Sequence, residues 1–203
     1  MLVDLVILLP VAYLLGSVPF GWVLARLFSH VDVLQEGSKN IGAFNVYRLA
    51  GKRLGIWTLA GDLSKGAIPV VVALHILGGP RWQNEAAVGL VALAAFMGHV
   101  YSVFLRFRGG KGVATAAGSI LAISPWTFLV CTLVYILVIC TWGYSSAASL
   151  SAAVLLPGAI WVGLHSVPLT LCASVMTIFI FVRHVGNMKR LFSGQEDSFF
   201  SWE

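Results

Sequence analysis

Long apolar runs separated by short polar patches dominate the chain. The runs cover Leu2–Phe28, Leu54–Leu77, Ala86–Leu105, Pro125–Thr141, Ala147–Leu164 and Val167–Val182. A helix needs about 20 apolar residues to cross the hydrocarbon core of a bilayer. The first three runs have that length, the last three are short for it, and Asp62 and Lys65 interrupt the second. Val113–Ile123 is a seventh apolar piece, too short to cross alone unless it begins beneath the headgroups at Gly110. The pattern predicts an all-α, polytopic membrane protein: a bundle of seven transmembrane helices.

The polar patches carry the candidate chemistry. Arg106–Thr115 reads RFRGGKGVAT, with three cations and three glycines ahead of an apolar run. Adjacent glycines let backbone N–H groups turn toward one point, and a helix N-terminus behind a basic glycine turn suits an anion, phosphate above all. The spacing is not that of a Walker A loop, because Gly112 and Val113 follow Lys111. The bland alternative is a basic turn at a membrane surface.

The connection Ser29–Arg53 is long and holds EGSKNIGAFNVYRLAGKR. With Ile41–Leu49 helical, Asn45 and Arg48 share one face. Hydroxyl, carboxamide and guanidinium together can read the hydroxyls and phosphate of a small polar ligand. In GDLSKG, Asp62 and Lys65 form a charged pair inside a span, costly unless paired or facing a wet cavity. His99 precedes Ser102 by one turn, and is either a packed core residue or part of a site. The serines of GYSSAAS, Gly143–Ser149, are expected to cap the next helix. His184 and Asn187 lie one turn apart in RHVGNMKRLFSGQE, with Arg183 and Arg190 near the same stripe. LGSVPFG, Leu15–Gly21, marks a kink and a close-packing face in the first span.

Composition narrows the class. Hydrophobic residues make up 59% and charged residues 10%, against about 25% charged in a soluble domain; the mean hydropathy is +0.90. Lys and Arg favour cytoplasmic loops. Seven spans put the connections containing Arg26–Lys65, Arg106–Lys111 and Arg183–Arg190 on one face. Of the 13 basic residues only Arg81 then lies opposite. The N-terminus is therefore expected outside and the C-terminus in the cytoplasm. This topology accounts for the +5 net charge, and nucleic acid is not an expected partner. The start MLVD has no basic residue, so the first run is expected to be a retained span rather than a cleaved signal. Cys131, Cys140 and Cys172 stand singly, as small core residues rather than ligands. No metal or cofactor is expected. No repeat or domain boundary is visible, so residues 1–203 are expected to form a single domain.

All these patches fall on one expected membrane face. They call for a polar, phosphorylated ligand approached from the cytoplasm beside a greasy bundle, as in joining a soluble phosphorylated acceptor to a fatty chain. GSVPFG, EGSKNIGAFNVYR, DLSKG, GHVYSVFLRFRGGKGVAT and RHVGNMKRL resemble, in that order, the motifs of the bacterial membrane-integral glycerol-3-phosphate acyltransferases, the PlsY family. The resemblance implies acyl transfer from acyl-phosphate to the 1-hydroxyl of glycerol 3-phosphate, giving lysophosphatidic acid and phosphate. It also implies a site at the cytoplasmic side of the bacterial inner membrane, among membrane lipid, in contact with the enzyme that makes acyl-phosphate. Carried over by position, the catalytic residues fall on Lys111, Ser146, His184 and Asn187. The substrate-binding residues fall on Ser38, Asn40, Asn45, Arg48, Lys65, His99, Gly109, Gly110 and Gly112. The chain reads GSKN, GAFN and HVYS where the family usually reads GSGN, GATN and HxFP.

Acyl-phosphate is already activated, so the enzyme need only align an alcohol with the carbonyl and stabilise developing charge. No Ser-His-Asp arrangement is readable, so direct transfer without an acyl-enzyme is expected. The hydroxyl proton goes to the donor phosphate or to His184. A membrane carrier for an organic phosphate and an acyl-CoA-dependent acyltransferase are the alternatives.

Overall fold

In a bilayer every backbone polar group must find its partner within the protein, and helices meet that demand locally. The computed structural model describes residues 2–78 and 81–202, and its regular elements are all helical. It falls into two compact units, residues 1–123 and 124–203.

The first unit holds α1 (Leu2–Ser17), α2 (Phe20–Phe28), α3 (Ala43–Ala50), α4 (Lys52–Ile76), α5 (Arg81–Val100) and α6 (Val113–Ile123). Helix α1 packs along α5, and α4 packs against α3, α5 and α6. Helices in lipid gain little from hydrophobic association and rely on small residues for close approach. Gly16 lies so near α5 that a Cβ there would overlap the Ala95 carbonyl, and one at Gly118 would overlap that of Leu63. The expected kink is a full break. Helix α1 stops at Ser17 and α2 starts at Phe20, because Pro19 has no N–H to continue the ladder.

The second unit holds α7 (Pro125–Trp142), α8 (Ser145–Leu164), α9 (Val167–Arg183) and α10 (Val185–Phe192). Helix α8 packs between α7 and α9, and α10 touches α8 and α9. Ser124 and Ser166 cap α7 and α9, each followed by proline in the first turn. The serines expected to cap α8 do not. Gly143 turns the chain one residue too early (φ +76°), Tyr144 takes the N-cap position without a side-chain bond, and Ser145 is already helical.

Many large outward side chains are apolar, including Leu2, Val6, Trp57, Leu137 and Val162, as a lipid-facing surface requires. Five segments are long and apolar enough to span a membrane, with α1 and α2 together forming the first. The pair α9 and α10, bent by 58°, makes a sixth when taken as one. Helix α6, with 11 residues, is about 16 Å long, half the hydrocarbon thickness. Contrary to expectation the cysteines are not core residues, since Cys131 and Cys172 are half-buried and Cys140 is exposed.

Candidate functional site

In the first unit, the long connection folds around one carboxamide. Oδ1 of Asn45 accepts from the Ser38 N–H at 2.9 Å and from Nη2 of Arg48 at 3.1 Å. Nδ2 donates to the carbonyls of Asn40 (2.9 Å), Val33 (3.1 Å) and Glu36 (3.4 Å). Asn45 is buried and its polar atoms are engaged, so it shapes the loop that presents Ser38 and Arg48. Asn40 is engaged in part, its Oδ1 accepting from the Gly42 N–H at 3.2 Å. Lys39 sits at φ +54°, a left-handed conformation that glycine adopts without cost. The usual GSGN of the resembled family thus has a backbone reason.

The span break supplies the next set. Its carbonyls leave the helix ladder, and that of Val18 accepts from Nζ of Lys65 at 2.7 Å. The Ser17 carbonyl accepts from Oγ of Ser102 at 2.5 Å. Nζ of Lys65 also lies 2.9 Å from Oδ1 of Asp62, and Nδ1 of His99 lies 3.6 Å from the same oxygen. All three side chains are buried, where a charge is tolerable only when paired and hydrogen-bonded. The sequence shows the pairing of Asp62 with Lys65, but not that His99 arrives from another helix.

The glycine turn lies on this set. Gly109 and Gly110 do not aim their N–H groups outward as expected. The Gly109 N–H donates to the Val100 carbonyl at 3.2 Å and that of Gly110 to the His99 carbonyl at 3.0 Å. Both acceptors belong to the last turn of α5, whose carbonyls lack intrahelical donors, so the turn caps the helix. A Cβ on Gly110 would overlap Nε2 of His99. Gly112 has φ +81° and abuts the Phe96 ring, so glycine is needed there for conformation and space. Helix α6 starts at Val113, with half-buried Lys111 two residues before it.

In the second unit, His184 joins α9 to α10 and is buried. Its Nδ1 lies 2.8 Å from the Ile180 carbonyl. A carbonyl can only accept, so Nδ1 carries the proton and the basic lone pair of the neutral ring is on Nε2. Ser146 and Asn187 converge on Glu196, whose Oε1 accepts from Oγ of Ser146 (2.7 Å) and Nδ2 of Asn187 (2.6 Å). Arg190 Nε donates to Oε2 at 2.7 Å. Sequence reasoning missed Glu196. It lies six residues beyond Arg190, past the end of α10, where helical spacing no longer points to partners.

With this geometry in view, comparison with known proteins is specific. Residues 6–194 match the family described as glycerol-3-phosphate acyltransferase. A glycerol-3-phosphate acyltransferase of Syntrophotalea carbinolica is 43% identical, covering 95% of this chain and 96% of its own. One of Methylococcus capsulatus is 45% identical, covering 94% and 93%. Among solved structures the chain is similar to PlsY, an integral membrane glycerol 3-phosphate acyltransferase, in its glycerol 3-phosphate form. The TM-score is 0.90 at 38% identity, over 97% of this chain and 96% of that one. The lysophosphatidic acid form gives 0.87 at 36%, over 96% and 95%.

Proposed function

This chain belongs to the glycerol-3-phosphate acyltransferase family, and we propose that its acyl donor is acyl-phosphate and that transfer to the acceptor is direct. The full-length likeness to an integral membrane acyltransferase with glycerol 3-phosphate and lysophosphatidic acid forms carries the acceptor and product. The 1-hydroxyl oxygen of glycerol 3-phosphate attacks the acyl carbonyl, the bond from that carbon to the phosphate oxygen breaks, and inorganic phosphate leaves. The hydroxyl proton passes to the donor phosphate or to Nε2 of His184.

Each residue has a role of its own in this reading. Ser38 and Arg48, set by Asn45 and Asn40, bind the acceptor. Lys111 and the first turn of α6 hold a phosphate, with Gly109, Gly110 and Gly112 shaping the turn. Lys65 and His99 support that turn from below. Ser146, His184 and Asn187 act on the reacting groups. Oγ of Ser146 donates to Glu196, and the Ser38 N–H donates to Asn45. Neither serine forms a Ser–His pair among the described residues, as an activated nucleophile would need.

The proposal extends to topology: seven membrane helices acting as one acyltransferase domain in the bacterial inner membrane, N-terminus outside and C-terminus cytoplasmic. The site then opens to the cytoplasm, where it meets the enzyme supplying acyl-phosphate. The test offers purified protein acyl-phosphate, acyl-CoA and acyl-carrier protein in turn with glycerol 3-phosphate. Lysophosphatidic acid is expected from acyl-phosphate alone, and initial-rate plots against the two substrates should intersect. Product from acyl-CoA would refute the donor assignment, and an acylated serine peptide formed without acceptor would refute direct transfer.

A further inference from the structure

The tail after α10 turns back on its own unit and delivers one buried carboxylate. Gly194 reverses the chain at φ +68°, and the Gln195 N–H donates to the Arg190 carbonyl at 2.8 Å. Further on, the Phe199 N–H donates to the Gly143 carbonyl at 2.6 Å, beside the start of α8. Between these anchors Gln195 and Asp197 are exposed, yet the Glu196 side chain is only 8% exposed. Burying a carboxylate is costly unless donors surround it. Here there are three: Ser146, Asn187 and Arg190.

We propose that Glu196 is a positioning residue that sets the hydrogen-bonding polarity of Ser146 and Asn187 for acyl transfer. The inference rests on the reading above that those two residues act in the reaction. A serine hydroxyl has a single proton, and an ionised carboxylate can only accept. With its proton directed to Oε1 of Glu196, Ser146 offers any other group lone pairs only. It can receive a hydrogen bond, as from an attacking hydroxyl, but cannot also donate one to a phosphate oxygen. The same oxygen takes one N–H of Asn187, which fixes the amide orientation and turns its carbonyl oxygen elsewhere. Arg190 balances the charge and holds the second carboxylate oxygen, so both donors meet an acceptor in a fixed place. The sequence resemblance and the geometry select Ser146 and Asn187 independently.

The test is a kinetic double-mutant cycle on the full-length protein, measured with whichever acyl donor the wild type turns over. An error in the donor assignment therefore leaves this outcome readable. Glu196→Gln should lower kcat at least tenfold with both KM values within about twofold, and Glu196→Asp, which keeps the charge, should recover part of the loss. In a Ser146→Ala background Glu196→Gln should cost at least about threefold less than in the wild type, because one of the two groups it acts through is gone. Should Glu196→Gln fail to extract as a folded species, Glu196→Asp takes its place in the cycle. An undiminished loss in the Ser146→Ala background would show a merely structural role and overturn the proposal. Faster turnover of Glu196→Gln would make the tail a plug and overturn it equally. A Ser146→Ala protein at wild-type rate would remove the premise, a failure of the functional reading that is visible before the cycle is closed.

Discussion

Gly110→Ala separates a built support from a simple surface turn. Gly110 is not among the residues with positive φ, so its backbone can take alanine without strain. In an unpacked turn the substitution would stabilise by roughly 0.4–1 kcal/mol, through the unfolded chain. The structure predicts the opposite sign. The new Cβ would overlap Nε2 of His99 and lie 3.0 Å from Cε1 and 3.1 Å from Cδ2. The imidazole has little room to yield, being buried on α5 with Asp62 at 3.6 Å from Nδ1. Overpacking of this kind costs roughly 1–3 kcal/mol. If the turn moves instead, Lys111 moves with it, and a misplacement of about 1 Å at a reacting centre costs on the order of a hundredfold in rate. Lysophosphatidic acid formation by the purified variant should therefore fall about tenfold to a hundredfold, with a lowered melting temperature. Adding His99→Ala, which clears the overlap, should reduce the further cost of Gly110→Ala on stability. Turnover within threefold of wild type, with an unchanged or raised melting temperature, would refute the packing argument.

Three other expectations follow from the same geometry. Lys39→Gly removes a left-handed L-residue at φ +54° and should stabilise by about 0.5–1 kcal/mol after the entropy of the added glycine, read as a raised melting temperature. Asn45→Ala leaves buried loop groups without partners at roughly 1–3 kcal/mol; hydrogen exchange over residues 33–42 should accelerate, and the KM for glycerol 3-phosphate should rise. For topology, in protein lacking the native cysteines, Ser38→Cys and Gln195→Cys should label from the cytoplasmic side and Asn84→Cys only from outside; opposite labelling of Ser38→Cys and Gln195→Cys would refute the seven-span arrangement.

The helices were legible because the bilayer leaves few choices. Apolar runs must be helical, and the expected ends at Phe28, Pro125, Leu164 and Val167 recur in the structure. The glycine turn before Val113 was legible too, since α6 begins where the run RFRGGKG ends. Its amide directions were not, because they depend on the open carbonyls of α5, and nothing in seven residues of sequence shows which neighbour needs donors. The loop bonds of Asn45 were hidden for a similar reason: a carboxamide suited to a ligand is equally suited to a loop. Glu196 was invisible, since its partners Ser146 and Asn187 come from α8 and α10 through a tail without periodicity.

The break at Pro19 explains why three separate motifs need one another. A continuous first helix would bind the Ser17 and Val18 carbonyls internally and leave Lys65 and Ser102 without these acceptors. An ammonium in a span would then rely on Asp62 alone, and the lost hydrogen bond to a charged group costs about 1.5–3 kcal/mol. With the break in place, Lys65 has both the carboxylate and the Val18 carbonyl, and Asp62 can also face His99. His99 in turn supports the backbone at Gly110 with its ring and its carbonyl. Contacts therefore run from the break after α1 through α4 and α5 to the turn that carries Lys111. On this account glycine at 110 is required to admit the imidazole, and the phosphate site proposed above lies one step further along the chain, at the start of α6.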